Sequence, residues 1–366
     1  MRTVFITALI LNLNFSSAQQ LLNDTSSRYN DIYSLGAGVH YGFIFAHVKE
    51  VENTKGSLPW GIEIDLSRQL INNPVWDECR CYPRTGLVVS YFDLDNSVLG
   101  KSINAAWYVE PFLSVHHRIN LSMKGAAGLS YLTNPYNEIS NPGNMSYSTH
   151  LSFYLAMGLG LNLELNDHFS AKLSAYYNHS SNGAVKEPNK GINLPVSTLH
   201  IYYALNPSLF PERQKNHGSG YRKKPVRKEV LLLATQRSLL YNENVHYLII
   251  GAGFNASKQL SGMHALSLGI EGIADYSVRK RLQQDNKSEK SFFQAGILIG
   301  HEFLMGKFIF SQQLGVYVFK QIPYYDDVYQ RYGLTYFFHK SFGAGISLKA
   351  HRHVANFLDG RIVYRF

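Results

Sequence analysis

The chain has 366 residues, only 17% of them charged, with 13% aromatic residues, 29 glycines and a formal net charge of +9. That composition excludes a disordered chain. Beyond the first residues, no run of about 18 apolar residues could form a spanning helix, so an exported chain of this kind is either soluble or a membrane β-barrel.

Residues 1–18 read as a signal peptide. Arg2 supplies the positive start, Val4 to Leu13 are mostly apolar, and Ser16-Ser17-Ala18 offers small residues for cleavage. Apolar/polar alternation then predicts strands at 33–46, 59–70, 86–95, 103–114, 119–132, 153–165, 168–181 and 194–205. Between the second and third lie Cys79 and Cys81. An oxidising compartment permits a bond between them, though the loop is very short, and two thiols are too few for a structural zinc site.

The segment 153–165 shows the pattern best. Phe153, Leu155, Met157, Leu159, Leu161, Leu163 and Leu165 share one face; Tyr154, Ala156, Gly158, Gly160, Asn162 and Glu164 share the other. Such length suits a tilted strand with lipid on one side and a polar lumen on the other.

Residues 206–228 form a basic linker with Arg213, Lys215, Arg222, Lys223, Lys224, Arg227 and Lys228. It is read as solvated, with anionic lipid phosphates as the functional alternative. Further strands follow at 229–239, 246–256, 263–276, 292–303, 307–319, 329–338, 342–350 and 357–366. The last ends in Phe366, as terminal strands of outer-membrane barrels do. The fold expected is all-β: an antiparallel outer-membrane β-barrel of about 12–16 strands. The linker could split it into two halves of roughly eight strands, but a single barrel is preferred. Short and long connections alternate, which places the end of the seventh strand at the external face of a bacterial outer membrane.

The densest cluster of chemistry is 179–193, His-Ser-Ser-Asn-Gly-Ala-Val-Lys-Glu-Pro-Asn-Lys-Gly-Ile-Asn. His179 and Ser181 lie two apart and share a strand face with Phe169, Ala171, Leu173, Ala175 and Tyr177. On the next strand Asn193 shares the apolar face of Pro195, Ser197, Leu199, Ile201, Tyr203 and Leu205. Parity therefore brings three polar groups to one lipid-facing spot near the external rim. Polar groups there are costly, so they want a reason: a polar rim at headgroup level, or a hydrolase site.

This stretch resembles the signature of the outer-membrane lipid A 3-O-deacylase (PagL-like), or acyloxyacyl hydrolase, family. That signature runs His-x-Ser-Asn and then Pro-Asn-x-Gly-x-Glu, matched by His179, Ser181, Asn182, Pro188, Asn189 and Gly191. The resemblance covers roughly 30–205. It implies a small eight-stranded barrel that hydrolyses the 3-linked acyl ester of lipid A, with its site on the outer wall in the outer leaflet. By position, Ser181 would be nucleophile and His179 general base. Asn182 and a backbone N–H near Gly183 or Ala184 would form the oxyanion hole. By alternation, however, Asn182 points to the lumen.

The chain departs from the signature at Asn193, where the family has an acid. An amide oxygen can accept the imidazole N–H and set its tautomer, but it cannot stabilise imidazolium with a charge. Glu187 is a possible substitute. Lys186 and Lys190, and Arg279, Lys280 and Arg281 further on, are candidates for lipid A phosphates. The implied partner is lipopolysaccharide; no cofactor, metal or nucleic acid is called for. A signal peptide over 1–18, a deacylase-like half over 19–205 carrying the site, the linker over 206–228 and added strands over 229–366 complete the expected organisation. The alternatives are a channel or transporter keeping a relic motif, which the added strands and a wider lumen would favour, and a phospholipase-type barrel using the same His and Ser.

Overall fold

A computed structural model describes residues 30–366 apart from Arg80, Ser114, 214–223, 240–244 and His353. The expected signal peptide lies outside the described residues.

Among the described residues, sixteen antiparallel strands follow one another. The first eight are β1 (Ile32–Gly42), β2 (Trp60–Gln69), β3 (Arg84–Asp93), β4 (Lys101–Glu110), β5 (Ile119–Leu132), β6 (Leu151–Glu164), β7 (Phe169–Ser181) and β8 (Ile192–Ala204). The second eight are β9 (Arg227–Arg237), β10 (Tyr247–Gln259), β11 (His264–Asp275), β12 (Phe293–Met305), β13 (Phe308–Lys320), β14 (Val328–Phe337), β15 (Phe342–His351) and β16 (Val354–Arg365). Each predicted strand has its counterpart. Arg227 and Lys228, expected in the linker, open β9.

The preference for a single barrel is overturned. β1 pairs with β8, from Ser34↔Ala204 to Gly42↔Val196. β16 pairs with β9, from Gly360↔Ala234 to Arg365↔Glu229. The chain therefore closes two eight-stranded barrels. The physical reason is that an open edge in lipid leaves a row of unpaired N–H and C=O groups, and each set of eight removes its own edges by closing.

Eight strands enclose a space that side chains can fill. In the first barrel Arg84, Glu110, Lys124, Lys172, Tyr108, Tyr154 and Tyr202 are all buried inside. Glu63 accepts from His200 at 2.9 Å and from Lys124 at 3.3 Å. In the second, Arg331 binds Glu271 at 3.0 Å and also contacts Asp359. Charges withdrawn from water in this way must be paired. The interior is a packed ionic core, so the wider lumen that would have favoured a channel is not formed.

The outer walls are apolar. On β6, Phe153, Leu155, Met157, Leu159 and Leu161 are exposed while Tyr154 and Asn162 are buried, as the alternation requires. Such a wall suits lipid contact.

One end of both barrels carries the longer connections and is called the loop end; the other is the turn end. At the turn end a short helix, α1 (Asn73–Cys79), follows β2, and Cys79 and Cys81 are bonded to each other. The start of the linker folds back here: Tyr82 Oη donates to Pro211 O at 2.8 Å, and Arg213 donates to Asn72 O and Ile71 O. At the loop end the helix α2 (Tyr276–Gln284) follows β11. Asp275 caps it by accepting from Ser277 N and Val278 N.

Candidate active site

The site grows from a β7–β8 hairpin at the loop end. His179 pairs with Asn193, and Phe153 on β6 pairs with Ser181. The three predicted residues share the outward face, as their parity required. Their surroundings are apolar: Phe153, Leu155 and Tyr177 are exposed beside them on the outer wall.

His179 Nδ1 meets Asn193 Oδ1 at 2.7 Å. An amide oxygen only accepts, so the proton sits on Nδ1 and Nε2 keeps its lone pair. Asn193 Nδ2 is in turn 2.8 Å from His47 Nδ1. His47 was not foreseen. It stands where β1 runs on past its last formal residue: Phe43 N bonds Pro195 O at 3.1 Å and Phe45 N bonds Asn193 O at 2.9 Å. Tyr41, Phe43, Phe45 and His47 have the same parity, and the first three are exposed on the outer wall. The only sequence signal was that parity carried past Tyr41.

Ser181 is half-buried and makes no hydrogen bond to His179 in this resting arrangement. Catalytic hydrogen bonds are often long before substrate binds.

The loop 182–191 is braced on three sides. Asn182 is buried, and its Nδ2 donates to Lys186 O at 2.7 Å and to Ser148 Oγ at 3.3 Å. Both amide hydrogens thus hold the loop, so the side chain is not presented to the outer wall as an oxyanion donor. Asn182 N donates to Asn189 Oδ1 at 2.9 Å. Lys190 N and Gly191 N donate to Met145 O and Ser146 O at 3.0 and 2.7 Å. The neighbouring loop is itself pinned by Tyr147, whose Oη donates to Leu99 O at 2.6 Å. Burial pushes the Tyr147 hydroxyl up to about 12.

Two glycines of this loop are required by geometry. Gly183 has φ +70, and Ala184 follows at φ +64. Neither Gly183 N nor Ala184 N has a backbone acceptor among the described residues. Gly191 has φ +78, and a Cβ there would lie 2.7 Å from His179 Cε1. The imidazole rests against that bare backbone.

The third brace comes from the second barrel. Leu358 N donates to Gly183 O at 3.4 Å, and Glu187 N donates to Ser238 Oγ at 3.2 Å. Glu187, the possible substitute acid, turns its carboxylate to Asn189 N at 3.0 Å rather than to His179. Lys190 Nζ lies 3.5 Å from Glu50 Oε1. Glu50 is held below the usual carboxylate range by its backbone hydrogen bond and by the Lys190 ammonium. The Lys186 carbonyl is used by the loop, while its half-exposed side chain makes no ion pair among the described residues.

The fold and this wall define an outer-membrane protein of two β-barrels, one of which also carries a row of polar groups on its lipid-facing side. Two family models match the chain. Residues 71–202 match "Lipid A 3-O-deacylase (PagL)", and residues 226–366 match "Acyloxyacyl hydrolase, C-terminal domain". The chain belongs to this lipid A deacylase family of outer-membrane hydrolases. No curated protein sequence matches it.

Among solved structures, the outer membrane enzyme PagL is similar at 15% identity and TM-score 0.32, over 45% of this chain and 97% of that one. The Acinetobacter baumannii outer membrane protein Omp33 gives 8% identity and TM-score 0.18, over 92% of this chain and 99% of that one. A deletion mutant of the monoaromatic hydrocarbon channel TodX gives 9% and 0.19, over 92% and 89%. Likenesses this low carry no argument, and the assignment rests on the two family models.

Proposed function

We propose that the protein removes an ester-linked acyl chain from lipid A in the outer leaflet, with Ser181 as nucleophile and His179 as general base. The observation that carries this reading is the His179 Nδ1 to Asn193 Oδ1 bond of 2.7 Å, on a lipid-facing wall two residues from a serine. It leaves Nε2 bare and able to take a proton.

In the reaction, Ser181 Oγ attacks the ester carbonyl as His179 Nε2 accepts its proton. The oxyanion is met by the N–H groups of Gly183 and Ala184. Preorganised donors of this kind are worth about 10²–10³ in turnover each. His179 then returns the proton to the departing sugar oxygen. Water, activated by the same imidazole, releases the fatty acid from Ser181. The exposed Leu155, Met157 and Tyr177 offer the acyl chain an apolar wall along the barrel. Lys186 is the better placed lysine for a lipid A phosphate, since Lys190 is shared with Glu50.

Mass spectrometry of lipid A from membranes carrying the wild type or Ser181→Ala tests this. Loss of one acyl chain with the wild type and not with the variant is expected. Equal release by both would sink the proposal.

A further inference from the structure

The row on the outer wall contains a fourth member that the deacylase reading does not use. Asn193 stands where the family signature has an acid, and an amide has a weakness a carboxylate lacks. A carboxylate accepts through either oxygen. An amide accepts through one end and donates through the other, and rotation by half a turn exchanges them. With Nδ2 toward His179, the imidazole would have to accept at Nδ1 and carry its proton on Nε2. It could not then take a proton from Ser181, which is the wrong-tautomer failure of serine hydrolases.

We propose that His47 is a positioning residue that sets the direction of the Asn193 amide and, through it, the tautomer of the catalytic base. The inference rests on the Ser181–His179 reading given above. Asn193 is 7% exposed, so its amide hydrogens need a protein acceptor. His47 Nδ1 is 2.8 Å from Nδ2. In the neutral ring with its proton on Nε2, Nδ1 can only accept. That makes Nδ2 the donor and turns Oδ1 toward His179, where the distance is 2.7 Å. The polarity of each group then determines the next: His47 accepts, Asn193 donates and accepts, His179 donates at Nδ1 and is bare at Nε2.

The placement of His47 is built rather than incidental. The bond from Phe45 N to Asn193 O carries β1–β8 pairing beyond β1's last residue and brings position 47 onto the outward face beside the amide. Gly191, with no Cβ, lets the His179 ring lie against its backbone.

The test compares kcat and KM for ester release from lipid A vesicles by the full chain and its variants. His47→Leu removes the acceptor. His47→Asn keeps an acceptor oxygen near the place of Nδ1. Asn193→Glu replaces the amide by a group whose direction does not matter. His47→Leu is expected to lower kcat about 10²-fold with little change in KM, short of the roughly 10⁴-fold that a wholly wrong tautomer costs. His47→Asn should recover most of that loss. In the Asn193→Glu background, His47→Leu should change kcat less than about threefold, because the two sites act through one interaction.

An undiminished kcat for His47→Leu would overturn the role, as would an equal fall in both backgrounds, which marks a purely structural residue. Ser181→Ala run alongside separates the two readings. Full activity of that variant overturns the nucleophile assignment and this inference with it. An inactive Ser181→Ala beside a fully active His47→Leu overturns only the inference.

Discussion

The two barrels have the same number of strands, the same antiparallel order and the same closure of first strand on last. They differ at the hairpin joining their last two strands. In the first barrel a long loop, 182–191, holds a row of polar groups on the outer wall. In the second, β15 ends at His351 and β16 already begins at Val354, and the wall beside them is apolar, with Ile346, Ile362 and Tyr364 exposed. The scaffold is common, and the candidate site is confined to the β7–β8 hairpin of the first barrel and the run past β1, as expected when function is grafted onto a fold. The second barrel still reaches the site, since Leu358 and Ser238 each bond the motif loop. Its role in this structure is that of a wall against which the loop is held.

The sharpest way to break this comparison is Ser181→Ala. If the chemistry lives in the first barrel alone, ester release should fall about 10⁴-fold or more, as when a nucleophile is removed from other serine hydrolases. Substantial residual turnover would point to the second barrel. Next comes Gly191→Ala, which puts a methyl carbon 2.7 Å from the His179 ring at a positive φ. Turnover should drop about 10²-fold, since small displacements at a reacting centre cost that much. The folded barrel should survive, as judged by heat-dependent mobility in SDS gels.

Arg331→Leu sharpens the contrast from the other side. It leaves Glu271 and Asp359 buried without their shared partner. The second barrel should lose about 3–5 kcal/mol in urea unfolding. Turnover measured while it remains folded should be close to wild type. Last, Lys190→Met removes an exposed pairing with Glu50. Exposed pairs contribute at most about 1 kcal/mol, so stability should barely change. A rise in KM for phosphorylated over dephosphorylated lipid A would show that Lys190 also meets substrate.

Much of this was legible in the chain. The strands were, because a period of two is written in neighbouring residues. So was the common face of His179, Ser181 and Asn193, which needed only parity and one hairpin. Asn182 was harder. Parity pointed it inward against its place in the family signature, and the structure shows both amide hydrogens committed to Lys186 O and Ser148 Oγ. Glu187 could not be judged from sequence, since a loop carboxylate chooses among nearby N–H groups by fractions of an ångström; here it takes Asn189 N.

Alternation along the chain determined the all-β membrane-barrel class, the lipid-facing side of every strand and the shared face of His179 and Ser181, the proposed base and nucleophile, because each of these is a local property. Tertiary structure alone decided that sixteen strands make two closed barrels, since closure depends on which distant edges pair. It alone brought His47 to Asn193, across a seam between the first and eighth strands. Partners so far apart leave no periodic trace in the sequence. Their meeting is set by the requirement that a barrel in lipid leave no backbone edge unpaired.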